Sequence, residues 1–276
     1  MSGNYYLNTQ GFLYYFAIFI GIMASILPQT SRAEAIDASD PTRIYSYAGA
    51  GLKYSDYSNN EDMWEMRITG NIGLTAQDMV LFEAGYGFHS GSLIEGSNSG
   101  FTNGRARWFH IFTMDYSVTS GYRGWATQVD MQVAGSLKGT DGQNTLAAGV
   151  MPAFGLGDSW SFFLALNITN TWDKQFKNWN GLGINASPLL VYAPDYLWKG
   201  AWLQIWPGYT RFISGDLSGE GAGNLDITIG GEITPKSFWA ITYQKNFDKD
   251  LRSYRRSSAS GLINDQNIFA SATMYF

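Results

Sequence analysis

The chain has two histidines, His89 and His110, and no cysteine, which bounds the covalent chemistry open to it. A hydrolytic nucleophile needs a base within hydrogen-bond reach. On a strand, residues two apart share a face and residues one apart do not. His89 is followed by Ser90, Gly91 and Ser92, so its same-face neighbour is a glycine and Ser90 points away. His110 is followed by Ile111 and Phe112 and meets no hydroxyl. His89 therefore reads as the residue that closes a strand at a loop edge. His110 shares parity with Trp108, Phe112 and Met114 and reads as an interface residue or as the mark of a register error. No His, Asp and Glu group has ligand spacing, and Asp56–Asp62 and Asp248–Asp250 read as acidic loops. Ser218 to Gly223 is glycine-rich but leads into a strand pattern, not into the helix that a phosphate-binding loop requires. The expectation is a protein that is not an enzyme and holds no cofactor or metal.

What remains is non-covalent chemistry. Polar and charged side chains recur at every second position in apolar surroundings: Glu65, Arg67 and Asn71; Glu83; Arg105 and Arg107; Asp115; Gln128, Asp130 and Gln132; Asn167; Asn185; Gln204; Asp226 and Glu232; Gln244. Such a lining passes polar solutes through a transverse field, or it closes on itself as an ion-pair network that only stabilises the fold. Trp202 and Trp206 share parity with Gln204 and Thr210, which places two indoles on the same polar face. There they would stack a planar ring or grease the path of an apolar solute. A one-residue slip or a bulge would instead return both to the outer face.

The elements that must carry these residues are strands. Twelve segments of alternating polarity run near 44–54, 63–74, 79–88, 105–118, 122–136, 144–154, 159–169, 184–193, 200–211, 224–234, 237–247 and 266–276. Trp64, Met66, Ile68, Ile72 and Leu74 oppose Glu65, Arg67, Thr69 and Asn71. Trp160, Phe162, Leu164, Leu166 and Ile168 oppose Ser161, Asn167 and Thr169. Segments of this length, tilted, cross a hydrocarbon layer. Connections after odd-numbered segments read as long (55–62, 89–104, 137–143, 170–183, 212–223, 248–265) and after even-numbered ones as short. That is the loop asymmetry of a membrane barrel. The fold class is all-β, a transmembrane antiparallel β-barrel of about twelve strands. Charges on it must face inward, because a charge in mid-bilayer costs roughly 2–4 kcal/mol.

Composition agrees. Aromatics make up 16% and charged residues 15% of 276 residues, against about 25% charged in soluble domains. Net charge is −5 and no basic stripe occurs, so nucleic acid is not an expected partner. Past residue 35 no apolar run is long enough for a spanning helix. Phe12 to Leu27 is an apolar run followed by Ala33-Glu34-Ala35, which reads as a secretory signal peptide over 1–35 with a barrel domain over 36–276. The usual positive start is missing, and the other reading is an uncleaved anchor. Arg252, Arg255 and Arg256 in the last long loop are placed to meet lipopolysaccharide phosphates, or are simply solvated.

The segment from Gln266 to Phe276 alternates Ile268, Ala270, Ala272, Met274 and Phe276 with a mostly polar set. It resembles the last strand of Gram-negative outer-membrane β-barrels. Residues 185–207 carry Asn185, Pro188, Tyr192, Gly200, Trp202 and Pro207. This hairpin resembles that of the transporter-like outer-membrane proteins linked to the MetA pathway of phenol degradation, with Ala201 as an extra residue between Gly and Trp. Asp195 to Gly200 before a strand is similar in style to nucleoside-specific outer-membrane channels. Either resemblance implies an outer-membrane protein taking up a small, often ring-bearing molecule, and neither supplies catalytic residues. The expected function is a channel for small solutes, uncharged or aromatic, in the outer membrane. Its partners would be membrane lipid, lipopolysaccharide and the solute, and the oligomeric state stays open. A filled barrel acting through its long loops is the second reading, and a lipid hydrolase the third.

Overall fold

The computed structural model describes residues 36–57, 61–89, 99–135, 137, 143–247 and 264–276. The signal-peptide reading, Ser90 and the arginines of the last loop lie outside the described residues. Twelve strands follow one another: β1 (Tyr47–Tyr57), β2 (Glu61–Gly73), β3 (Asp78–His89), β4 (Ser99–Met114), β5 (Ser120–Ala134) and β6 (Asn144–Leu156), then β7 (Trp160–Trp172), β8 (Trp179–Tyr192), β9 (Trp202–Ser214), β10 (Gly221–Thr234), β11 (Ser237–Asn246) and β12 (Asn264–Tyr275). Each strand pairs antiparallel with its sequence neighbours, and β1 pairs with β12 from Tyr47↔Tyr275 to Tyr57↔Asn264, which closes the sheet. Closure leaves no strand edge to be satisfied, the condition for a sheet in lipid.

Twelve segments of alternating polarity thus become twelve strands, with shifted ends. β4 starts at Ser99, earlier than its polarity suggests, because Ser99 to Phe101 keep pairing with β3 beyond a register shift at Gly85/Tyr86. It stops at Met114 because Asp115 turns the chain: its Oδ1 accepts from the Ser117 amide and hydroxyl at 3.0 and 2.6 Å. The long–short rule also softens. The β1–β2 connection shrinks to 58–60, since both strands extend past their apolar stretch, and the β8–β9 connection covers 193–201.

The hairpin of β8 and β9 has a structural peculiarity. Its ladder runs Ala186↔Tyr209 and resumes at Leu190↔Ile205, so Pro188 and Pro207 face each other between those rungs. Neither proline has an N–H to donate. Each keeps its partner on the outer neighbour, Leu164 for Pro188 and Leu225 for Pro207.

The outer surface is apolar along the strands. Leu146, Val150, Leu166, Ile168, Ile184, Ile229 and Ile241 are exposed there, and aromatic rings gather at the strand ends with the short connections. Phe112 stacks on Trp125 at 4.1 Å between centroids, and Trp160 on Tyr192 at 4.4 Å. An exposed oily belt edged by rings is the surface that a barrel in a bilayer presents, with rings at the level of the headgroups. Leu166 lies at the middle of β7 and is 42% exposed. Leu166→Arg should cost about 2–4 kcal/mol in reversible unfolding in lipid bilayers, while the same change near a strand end costs much less.

Candidate functional site: the barrel lumen

The inward charged residues of β2 to β5 form an ion-pair ladder. Arg67 on β2 donates from Nε to Glu65 Oε1 at 2.7 Å and from Nη1 to Glu83 Oε2 at 2.9 Å, and its Nη2 reaches Asn103 Oδ1 at 3.2 Å. Arg105 on β4 lies 3.8 Å from Glu83 and grips Asp130 with two hydrogen bonds, at 2.9 and 2.5 Å. Arg107 reaches the same carboxylate at 2.9 Å. Adjacent strands place these partners side by side: Glu83 faces Arg105 and Arg107 faces Asp130 in the register. Charge alternation between directly opposed residues is the stabilising arrangement in a sheet.

The wall from β5 to β10 is built from amides and hydroxyls. Gln128 donates to Asn167 at 2.7 Å, Asn167 to Asn185 at 3.0 Å, and Asn185 to the Thr210 hydroxyl at 3.0 Å. Asn224 donates to Asp226 at 3.0 Å. Between the two walls lies a chamber of about 400 Å³, lined by Arg105, Arg107, Asp130, Asn167, Asn185, Trp206 and Asp226 among others. The Arg107 guanidinium stands over the Trp206 ring, 5.7 Å from its centroid. A second chamber of about 310 Å³ lies toward the short connections, lined by Tyr47, Glu83, Trp202, Gln204, Phe238 and Tyr275 among others.

That end of the lumen also carries an apolar layer. Met79, Phe109, Ile111, Met151, Phe163, Leu189 and Val191 point inward and bury one another, with Ile44 and Trp206 packed against them. Residues 36–46, ahead of β1, fold back into this end as a strap. Gln204 donates to the Ser39 carbonyl at 2.8 Å and Asn71 to the Tyr45 carbonyl at 2.8 Å. Tyr116, in the β4–β5 turn, donates to the Thr42 carbonyl at 3.0 Å, and Arg43 lies over its ring at 3.7 Å. Ala38 forms part of the wall of the second chamber. Asp40 is folded under with the strap. Burial pushes its carboxyl above the ordinary range, partly offset by the bonds it accepts from Thr42, raised again by Asp37 and eased by Arg43.

Most of the polar residues singled out in the sequence meet in this lumen. Glu65, Arg67, Glu83, Arg105, Arg107 and Asp130 form the ladder. Gln128, Trp206 and Asp226 line the larger chamber, and Trp202 and Gln204 the smaller. β9 pairs with β10 without a register shift from Trp202↔Gly230 to Arg211↔Gly221, so parity is kept and both indoles stay inside. Two residues do not belong. Asp115 sits in the β4–β5 turn, where the Ser117 hydroxyl and then its amide hold the carboxyl below the usual range. Its polarity continues the alternation of β4, but the strand has already ended. Glu232 is at the rim, bonded to Lys199 of the β8–β9 connection at 2.7 Å, and lines neither chamber.

Sequence reasoning missed Lys53. It faces Glu65 and Phe269 in the register, between outward Leu52 and Tyr54, and its alternation with Leu52 was the available signal. With Asp115 and Glu232 removed and Lys53 added, four acids (Glu65, Glu83, Asp130, Asp226) are matched by four bases (Lys53, Arg67, Arg105, Arg107). Also missed was the inward apolar layer, because a barrel with an oily exterior was expected to be polar throughout its interior.

The histidines stand apart from one another. His110 Nδ1 lies 2.9 Å from Asp78 Oδ1, and its ring meets Phe112 edge-on at 4.4 Å, within the aromatic belt. His89 ends β3, with its ring 6.0 Å from that of Tyr57. Among the described residues, no group of three or more His, Cys, Asp or Glu is placed to hold a metal.

No family model matches the chain, and no curated protein matches it. Solved structures do. An outer membrane channel from Pseudomonas putida F1 aligns over 87% of this chain and 99% of its own, with 12% identity and a TM-score of 0.54. The NanC porin aligns over 82% of this chain and 99% of its own, with 9% identity and a TM-score of 0.52. Such identities speak for shape alone. A closed antiparallel sheet with an oily belt, with the start of β1 and the end of β12 on the short-turn side, has the architecture of an outer-membrane barrel. The chain has the closed-barrel fold of outer-membrane channels.

Proposed function

We propose that this protein is an outer-membrane channel for small, uncharged solutes, reached from the loop side and gated at the periplasmic side. The observation that carries the reading is the polar chamber of about 400 Å³ inside a lipid-facing cylinder. A barrel meant only to be stable has no need for a space of this size; small-molecule sites fall at roughly 300–1,000 Å³. The chamber's charges are balanced, so it offers no net pull on an ion. A wide sieve is disfavoured, since twelve strands enclose far less than the 16–18 of general porins. The fold shared with an outer membrane channel is consistent with this.

Reconstituted into liposomes, the protein should give swelling with small neutral solutes and little with larger ones. A barrel impermeable to all of them both with residues 36–46 in place and with them deleted would remove the channel reading. One observation favours a second reading: the apolar layer and strap fill the periplasmic end as a core would. A barrel that is filled and works through its loops would show no flux even with the strap deleted.

A further inference from the structure

The larger chamber has two unlike walls, and their chemistry narrows the solute. On the charged wall each arginine is already engaged: Arg67 by Glu65 and Glu83, Arg105 and Arg107 by Asp130. An anionic solute would have to compete with Asp130 for the Arg105 and Arg107 guanidinium groups. On the facing wall Gln132, Thr145 and Thr169 add amide and hydroxyl groups beside the Asn167–Asn185 chain. An apolar ring seated there would strip water from these groups without replacing their hydrogen bonds, the expensive way to bury a polar atom. Asp226 accepts from Asn224 and Gln244 and makes no salt bridge among the described residues, which leaves lone pairs of its two oxygens to accept from a hydroxyl. Trp206 supplies the large ring of the lining, packed against the apolar layer, with the Arg107 guanidinium 5.7 Å from its centroid and part of the ring still facing the chamber.

Amides and a carboxylate around an aromatic platform match a molecule with hydroxyls at its edge and C–H groups on its face. We infer that this chamber binds a neutral saccharide, its ring lying on Trp206 and its hydroxyls on Asp226 and the Asn167–Asn185 wall. The inference rests on the channel reading but is tested by binding, which needs no flux.

The purified barrel in detergent is titrated by calorimetry, with saturation-transfer NMR on the same samples. The probes are glucose and maltose, galacturonate for an acid, glucosamine for an amine, and benzyl alcohol for a neutral aromatic. Glucose or maltose should bind about tenfold more tightly than the other three. Trp206→Ala should weaken that binding about tenfold or more, and Trp206→Phe should keep most of it. Heat-modifiable gel migration reports whether each variant is folded. If Trp206→Ala does not fold, Trp206→Phe is compared with Asn185→Leu, which must weaken saccharide binding about tenfold. Tighter binding of benzyl alcohol, galacturonate or glucosamine would overturn the inference, as would saccharide binding that ignores both substitutions. Saccharide binding without liposome swelling would sink the channel and leave the inference. Swelling without saccharide binding would do the reverse.

Discussion

Removing residues 36–46 should turn a mostly closed barrel into a mostly open one. Three side chains of the lumen and the turn donate to carbonyls of the strap, Gln204 to Ser39, Asn71 to Tyr45 and Tyr116 to Thr42, beside the Gly73 amide donating to the Ser46 hydroxyl. At about 1 kcal/mol net for each, the three side-chain donors bias the strap toward its docked position by about 3 kcal/mol, a ratio of roughly 100. Ile44, packed on the apolar layer, adds to that bias. In planar-bilayer recording the deletion should raise the mean conductance by about 10- to 100-fold. Ile44→Asp is the gentler test, because it leaves the hydrogen bonds in place and spoils only the apolar contact. It should give frequent brief openings where the deletion gives sustained ones. Unchanged conductance in both would mean that the apolar layer of the wall, not the strap, blocks the lumen.

The strap should also respond to acid. Asp40 has its carboxyl raised by burial in the docked state, so docking takes up a proton. A group whose pKa is raised on docking favours the docked state at low pH, and that advantage is lost as pH rises through the docked value. The groups around it oppose one another: Asp37 raises the carboxyl further and Arg43 lowers it. Openings should therefore become rarer as pH falls toward the ordinary carboxylate value of about 3.9. Asp40→Asn removes the charge at every pH. It should be closed more firmly than the wild type at neutral pH and lose the pH dependence. A wild type that opens as pH falls would contradict this assignment.

The strand pattern was legible because lipid enforces it. Every outward position must be apolar, so a period of two survives through Trp64 to Ile72 on β2 and Trp160 to Ile168 on β7, and parity alone placed Arg67, Asp130 and Trp206 inside. No comparable rule governs the inward face. Phe109 and Ile111 point inward next to outward Trp108 and Phe112, so β4 reads as continuously apolar there and parity gives no sign of which ring is which. The bulge between Ile111 and Thr113 adds to this by shifting the register against β5. The strap was invisible for a different reason. Residues 36–43 lie outside every alternating segment, 44–46 begin the first one, and what holds the strap is mainly backbone carbonyls accepting from side chains far along the chain. Ser39 and Gln204 illustrate it: nothing in the type of either residue announces a bond across 165 positions.

The ion-pair ladder yields the largest expected loss of stability. Glu65 is only 2% exposed and is bonded to Arg67, which also spans to Glu83. Truncating one partner of a buried pair leaves the other charge uncompensated, at about 3–5 kcal/mol. Arg67→Leu should lower the unfolding free energy by about that amount in urea titrations of the reconstituted barrel. Most of this is the cost of leaving Glu65 with Lys53, its register partner on β1, as its remaining cation, not the intrinsic worth of the pair. The double variant Glu65→Leu/Arg67→Leu should therefore recover most of the loss, since a matched apolar replacement of a buried pair is often close to neutral. Recovery would be incomplete on two accounts: Lys53 loses the carboxylate that faces it, and Glu83 keeps only its longer contact to Arg105, at 3.8 Å, once Arg67 is gone. If the double variant were as unstable as the single one, the ladder would be contributing net attraction across three strands, and the lumen charges would be part of what holds the cylinder closed.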